Sequence, residues 1–138
     1  MPYKNISVAL SGKTDEVPII DEAVRLAITL KAHLSVLHVT DPHAGEISMM
    51  IDPIKKYDEE YFKQLFYDAG HEEVSKNLDI RLLTHKSIPT GIADLATECD
   101  LLIIGHSKMN KLKELFTDSI DEMAVNNVSC PVLIIKTK

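Results

Sequence analysis

Hydrophobic positions along the chain alternate between two spacings. Ile6-Ser7-Val8-Ala9-Leu10 is a short, partly β-branched run that predicts a strand, ended by Ser11-Gly12-Lys13. Ile19, Ala23, Leu26, Ala27 and Leu30 then recur at steps of 4, 3, 1 and 3. That is one face of a helix over about 17–32, with Pro18 in its first turn and Asp21 and Arg25 on the wet side. Leu34-Ser35-Val36-Leu37-His38-Val39 predicts a second strand, stopped at Thr40-Asp41-Pro42. A long loop over 41–53 follows, with Pro42, Gly45 and Pro53. Asp52-Pro53 reads as an N-cap with proline at the first helical position. Ile54, Tyr57, Tyr61, Leu65 and Ala69 keep helical spacing from there to about Asn77, with Gly70 a weak point.

Asp79-Ile80-Arg81-Leu82-Leu83-Thr84 predicts a third strand and Thr90–Cys99 a short helix with Ile92, Leu95 and Ala96 inward. Leu101-Leu102-Ile103-Ile104 is a continuous apolar run, as in a parallel strand covered on both faces, and ends at Gly105. A polar loop from His106 to Phe116 leads to a helix of about 117–127 with Ile120, Met123 and Ala124 inward. Val132-Leu133-Ile134-Ile135 is the fifth strand, reached through Cys130-Pro131. Strands and helices alternate throughout, which predicts a doubly wound, Rossmann-like α/β fold: five mainly parallel strands and about four helices in one domain over 1–138. Such folds hold ligands outside the carboxyl ends of the strands, near the switch in strand order. The positions of interest are Ser11-Gly12, Val39-Thr40-Asp41, Thr84-His85 and Gly105-His106-Ser107.

Composition narrows the function. At 138 residues, 45% hydrophobic and 26% charged, the chain is globular. Its net charge of −6 leaves no excess of cations to displace phosphate counterions, so no nucleic-acid partner is expected. No apolar stretch approaches the roughly 20 residues that span a bilayer, and no leader pattern opens the sequence. Neither a membrane partner nor secretion by a signal peptide is expected. Cys99 and Cys130 make neither a disulfide framework nor a metal set, and both are expected to be reduced in a cytosol. His33, His38, His43, His71 and His85 are scattered, and no metal is expected. The apolar cluster Ile47, Met49, Met50 and Ile51 in the long loop is surplus to the fold and suits either a lid or a subunit contact.

The C-terminal third says more. Asp100-Leu101-Leu102-Ile103-Ile104-Gly105-His106-Ser107, then Asp118-Ser119-Ile120, then Cys130-Pro131-Val132-Leu133-Ile134-Ile135 resembles the universal stress protein family. Ile6–Leu10, Val36-Leu37-His38-Val39 and Ser87-Ile88-Pro89 extend the resemblance over the whole chain. It implies a cytoplasmic protein with strand order 3-2-1-4-5, a homodimer meeting along Val132, Leu133, Ile134 and Ile135, and a role in the stress response. One branch of the family binds ATP through Gly-x2-Gly-x9-Gly-Ser/Thr, and another lacks the pattern and the nucleotide. Here Gly105 matches the first glycine and Ser119 the final hydroxyl, but Lys108 and Asp118 replace the other two glycines at intact spacing. Ser11 stands where the nucleotide-binding branch has an aspartate.

The substitutions act in opposite directions. Lys108 removes a glycine that lets backbone N–H groups approach an anion, and brings a cation instead. Asp118 is placed to cap the helix that would otherwise offer its N–H groups to a phosphate, with Asp121 and Glu122 beside it. A like charge about 4 Å from a phosphate oxygen costs roughly 4 kcal/mol at an effective dielectric of 20. One flexible lysine returns less than that. The reading is a stress-response or signalling homodimer with weak or no ATP binding and with protein partners that the sequence leaves unknown. The alternative is a protein that binds ATP or another adenine nucleotide, with Gly105, Lys108 and Ser119 at the phosphates. Ser11, Val39, His106, Ser107 and Asp118 would complete the site. Ser119 also begins a capping box with Asp121 and Glu122, the reading favoured for it, and Gly105 fits a simple turn equally well. No base is placed for hydrolysis and no catalytic residue is assigned, so an enzyme is the least favoured reading.

Overall fold

A computed structural model of the chain describes residues 3–12, 16–40, 57–107 and 128–137. The elements are β1 (Asn5–Ala9), α1 (Val17–Leu30), β2 (His33–Thr40), α2 (Glu59–Asp68), α3 (Glu72–Lys76), β3 (Asp79–Thr84), α4 (Ile88–Leu95), β4 (Leu101–Ser107) and β5 (Val132–Thr137). The five strands form one sheet in the order β3-β2-β1-β4-β5, and every pairing is parallel. The order places the switch between β1 and β4, whose register runs from Ile6↔Leu101 to Val8↔Ile103.

Strand periodicity sorts the core into two layers. Ile6, Val8, Leu10, Leu34, Val36, Ile80, Leu101 and Ile103 face α1 and α2, where Ile20, Val24, Phe62 and Phe66 close over them. Leu37, Val39, Leu102 and Ile104 face α4, where Ile92 and Ala96 cover them. Coverage on both faces is why β4 reads as an unbroken apolar run.

Three boundaries differ from the sequence expectation. The helix expected from Ile54 begins only at Glu59, because the Asp58 side chain accepts from the Tyr61 N–H at 2.9 Å and caps it there. It also divides at Gly70, whose φ of +94° takes the left-handed region that ends α2 before α3. The expected helix at 90–99 starts earlier, at Ile88, behind the Ser87 cap with Pro89 in its first turn, and stops at Leu95. β4 does not end at Gly105. It runs on through His106 and Ser107 because β5 stays paired with it, His106 to Lys136 and Ser107 to Thr137. The Asp52-Pro53 cap, the 47–51 cluster and the helix expected at 117–127 lie outside the described residues.

Candidate functional site

The crevice at the carboxyl ends of β1 and β4 is built from Leu10 outward. The Leu10 N–H donates to the Leu37 carbonyl at 3.0 Å, which holds the end of β1 against β2. The Leu10 carbonyl faces His38, whose Nδ1 lies 2.8 Å away. A carbonyl accepts only, so Nδ1 carries the proton. His38 is 7% exposed and sits among rings, 4.9 Å from Phe62 and 5.9 Å from Tyr57 between centroids. Burial pushes its pKa below the usual histidine value, partly offset by the Leu10 carbonyl.

Beyond Leu10 the chain turns at Ser11 and Gly12. Their two N–H groups point the same way, and the Glu16 carboxylate takes both. Ser11 N donates to it at 2.9 and 3.1 Å, and Gly12 N at 2.9 Å. Two successive N–H groups converging on one carboxylate are a small anion nest filled from within the chain. Gly12 has φ of +96°, and a Cβ there would fall 2.5 Å from the Tyr57 ring. The Tyr57 ring therefore packs closely against the turn. Tyr61 stacks on it at 4.1 Å and donates its hydroxyl to the Gly12 carbonyl. Burial, with Tyr57 beside it, pushes the Tyr61 pKa up and keeps that hydroxyl a donor.

The sequence candidates divide accordingly. Ser11 is exposed at the crevice, with its N–H already bonded to Glu16. Val39 is buried on the α4 side, its methyl groups against Gly91, so its side chain supports the floor. Gly105 lies on β4 opposite Ile135. A Cβ at 105 would collide with the Ile19 Cδ1, so the glycine lets α1 press onto the sheet. His106 and Ser107 continue the β4 backbone past Gly105 at the crevice. Lys108, Asp118 and Ser119 lie outside the described residues. His85, also singled out, turns inward locally: its Nδ1 accepts from Ser87 N at 2.9 Å. Among the described residues no group of three or more His, Cys, Asp or Glu side chains could hold a metal.

Sequence reasoning missed Glu16, Tyr57 and Tyr61 at this site. An acid just before a helix whose preceding strand ends in Ser-Gly is a usable signal for Glu16. Nothing local marks Tyr57, because its position depends on the path of the chain before α2.

A parallel sheet in this order, with helices on both faces and a polar turn at the switch, defines a doubly wound, Rossmann-like α/β protein. The chain belongs to the universal stress protein family, whose model matches residues 2–136. A protein of Staphylococcus epidermidis named for this family is 28% identical over 150 residues, covering 99% of this chain and 86% of its own length. A counterpart in Staphylococcus aureus is 27% identical over 145 residues with the same coverage. Among solved structures, a universal stress protein in complex with cAMP superposes with a TM-score of 0.69 at 17% identity, over 100% of both chains. One from Archaeoglobus fulgidus in complex with dAMP superposes with a TM-score of 0.62 at 21% identity, over 99% of this chain and 100% of its own.

Proposed function

We propose that this protein is a cytoplasmic stress-response or signalling protein that acts as a homodimer through non-covalent recognition, with weak or no ATP binding. The observation that carries the second half is the Glu16 carboxylate on the Ser11 and Gly12 N–H groups, with Tyr57 packed on the same turn. An anionic ligand entering the crevice would meet a negative charge already seated on the turn that ends β1. The substitution of glycine by Asp118 acts in the same direction, against the cation that Lys108 brings.

A second reading has specific support in the relatives that hold cAMP and dAMP. In it the crevice takes an adenine nucleotide through Ser11, Gly105, Lys108 and Ser119. Calorimetric titration with ATP and Mg²⁺, AMP and cyclic AMP separates the two. The first reading expects no saturable heat from the wild type, and saturable micromolar binding overturns it. Replacing the carboxylate, Glu16→Ala, is expected to raise any nucleotide affinity roughly tenfold or more, since a like charge near a phosphate costs kilocalories at protein dielectrics. An unchanged affinity in that variant removes Glu16 from the account.

A further inference from the structure

Cys99 and Cys130 take no part in the crevice. Cys99 follows α4 and precedes β4, and Cys130 precedes Pro131 and β5. The parallel pairing of these strands begins at Leu102↔Val132, and Leu102 N donates to the Pro131 carbonyl at 3.0 Å. The segments leading into the two strands therefore run side by side. That brings two thiols 31 residues apart in sequence to an Sγ–Sγ distance of 3.4 Å. Both are half-buried beneath α4, beside Ala96, Leu102, Val128 and Val132. They lie at the amino ends of the strands, the opposite pole from the crevice. A disulfide needs about 2.05 Å between sulfurs, so closure asks for a shift of about 1.4 Å, within reach of side-chain rotation.

We propose that Cys99 and Cys130 form a redox pair, closed to an intramolecular disulfide by a hydroperoxide and reopened by a dithiol reductant. Two features support it beyond proximity. Burial, with the hydrogen-bonded Cys130 beside it, pushes the Cys99 pKa up to about 12, so Cys99 keeps its proton and the attack on peroxide is assigned to its partner. Cys99 also borders a polar recess of about 70 Å³ lined by Asn5, Ser7, Ser35, Arg81 and Glu98. That volume admits water or a peroxide-sized molecule beside Cys99, one sulfur away from Cys130.

The chemistry balances in two steps. The Cys130 thiolate attacks one oxygen of hydrogen peroxide. The O–O bond breaks, hydroxide leaves, and Cys130 becomes a sulfenic acid. The Cys99 sulfur then attacks Cys130 Sγ and expels hydroxide, which takes the Cys99 proton and departs as water. Two thiols lose two electrons, and one peroxide is reduced to two waters. The bond would close a loop that contains β4 and carries Gly105, Lys108, Asp118 and Ser119, fastening both of its ends.

The test treats the reduced full-length chain with hydrogen peroxide, denatures it in iodoacetamide and weighs it intact. The expected result is a monomeric chain lighter by two hydrogens, with neither thiol alkylated and both restored by dithiothreitol. Cys99→Ser, which removes the resolving thiol, is expected to accumulate a sulfenic acid at Cys130 that dimedone traps. Cys130→Ser is expected to lose its remaining thiol about tenfold more slowly than the wild type, because thiolate content sets the rate. Far-UV circular dichroism melts establish that both serine variants fold. Two alkylatable thiols after a peroxide dose that modifies Cys99→Ser would overturn the proposal, and so would a covalent dimer. A Cys99→Ser chain that never reacts with dimedone would also overturn it.

Discussion

His38 sits within an apolar strand, its ring against Phe62 and Tyr57 and its Nδ1–H on the Leu10 carbonyl. Burial lowers its pKa in the folded chain below the value of 6.5 for an exposed histidine. The unfolded chain then binds the proton more readily than the folded one. Stability contributed by neutral His38 is fully present above about pH 6.5 and is lost as pH falls from there through the lower folded pKa. Urea unfolding of the wild type at a series of pH values is expected to show this slope. His38→Gln keeps a donor for Leu10 without titrating, and its curve is expected to be flatter over that window. Parallel curves for the two proteins would deny His38 any share in the pH dependence. The same residue fixes the carbonyl at the lip of the crevice, so acid stress and crevice geometry meet at one ring.

At the scale of elements, helix α4 carries a glycine where helix propensity alone favours alanine by about 1 kcal/mol. The reason is the sheet beneath it. A Cβ at Gly91 would stand 2.8 Å from both methyl groups of Val39 and 3.2 Å from the His85 Cβ. Val39 is β-branched and buried, so it has little freedom to yield. Overpacking of this kind costs about 1–3 kcal/mol, which outweighs the propensity gain. Gly91→Ala is expected to lower the denaturation midpoint, and Val39→Ala in the same chain to recover part of the loss. If Gly91→Ala instead stabilises the protein, α4 packs less closely on β2 than described.

Much of this level was legible beforehand. Strand and helix spacings placed β1, α1, β2, β3 and β5 to within two residues, because each repeats its period several times between clear stops. The start of α2 was misplaced because Asp52-Pro53 and Asp58 are both plausible caps, and local sequence does not rank them. The far end of β4 was misplaced because its length is set by β5, a partner distant in sequence. Strand-end logic named Ser11 and Gly105, and the structure places Ser11 just beyond β1 and Gly105 within β4. Glu16, Tyr57 and the Cys99–Cys130 contact were not named, since each is a juxtaposition made by the sheet order.

On the scale of the whole molecule, the sheet has two edges, and β5 is the more apolar one. Among the described residues it pairs with β4 alone, and Ile134 is 41% exposed in its middle. Leu133 and Ile135 pack inward against the α1 layer, which leaves Ile134 exposed on the opposite side of the strand. An edge strand of this character invites a two-fold partner strand. Sedimentation at micromolar concentration is expected to give a dimer, and Ile134→Lys a folded monomer. A wild type that sediments as a monomer, or an Ile134→Lys chain that still dimerises, would move the interface elsewhere.

The placement of β1 also dictates an order of assembly. The first strand of the sequence is the middle strand of the sheet, and its start is clasped by Asp100, whose carboxylate accepts from Lys4 N and Asn5 N at 2.9 Å. That clasp spans 95 residues of chain. While the protein is being synthesised, β1 can join β2 early, yet its other side stays open until β4 leaves the ribosome. For most of translation the future centre of the sheet is a bare edge. Until then its unpaired N–H and C=O groups are open to any other strand that meets them, which makes this interval the one most exposed to wrong pairing.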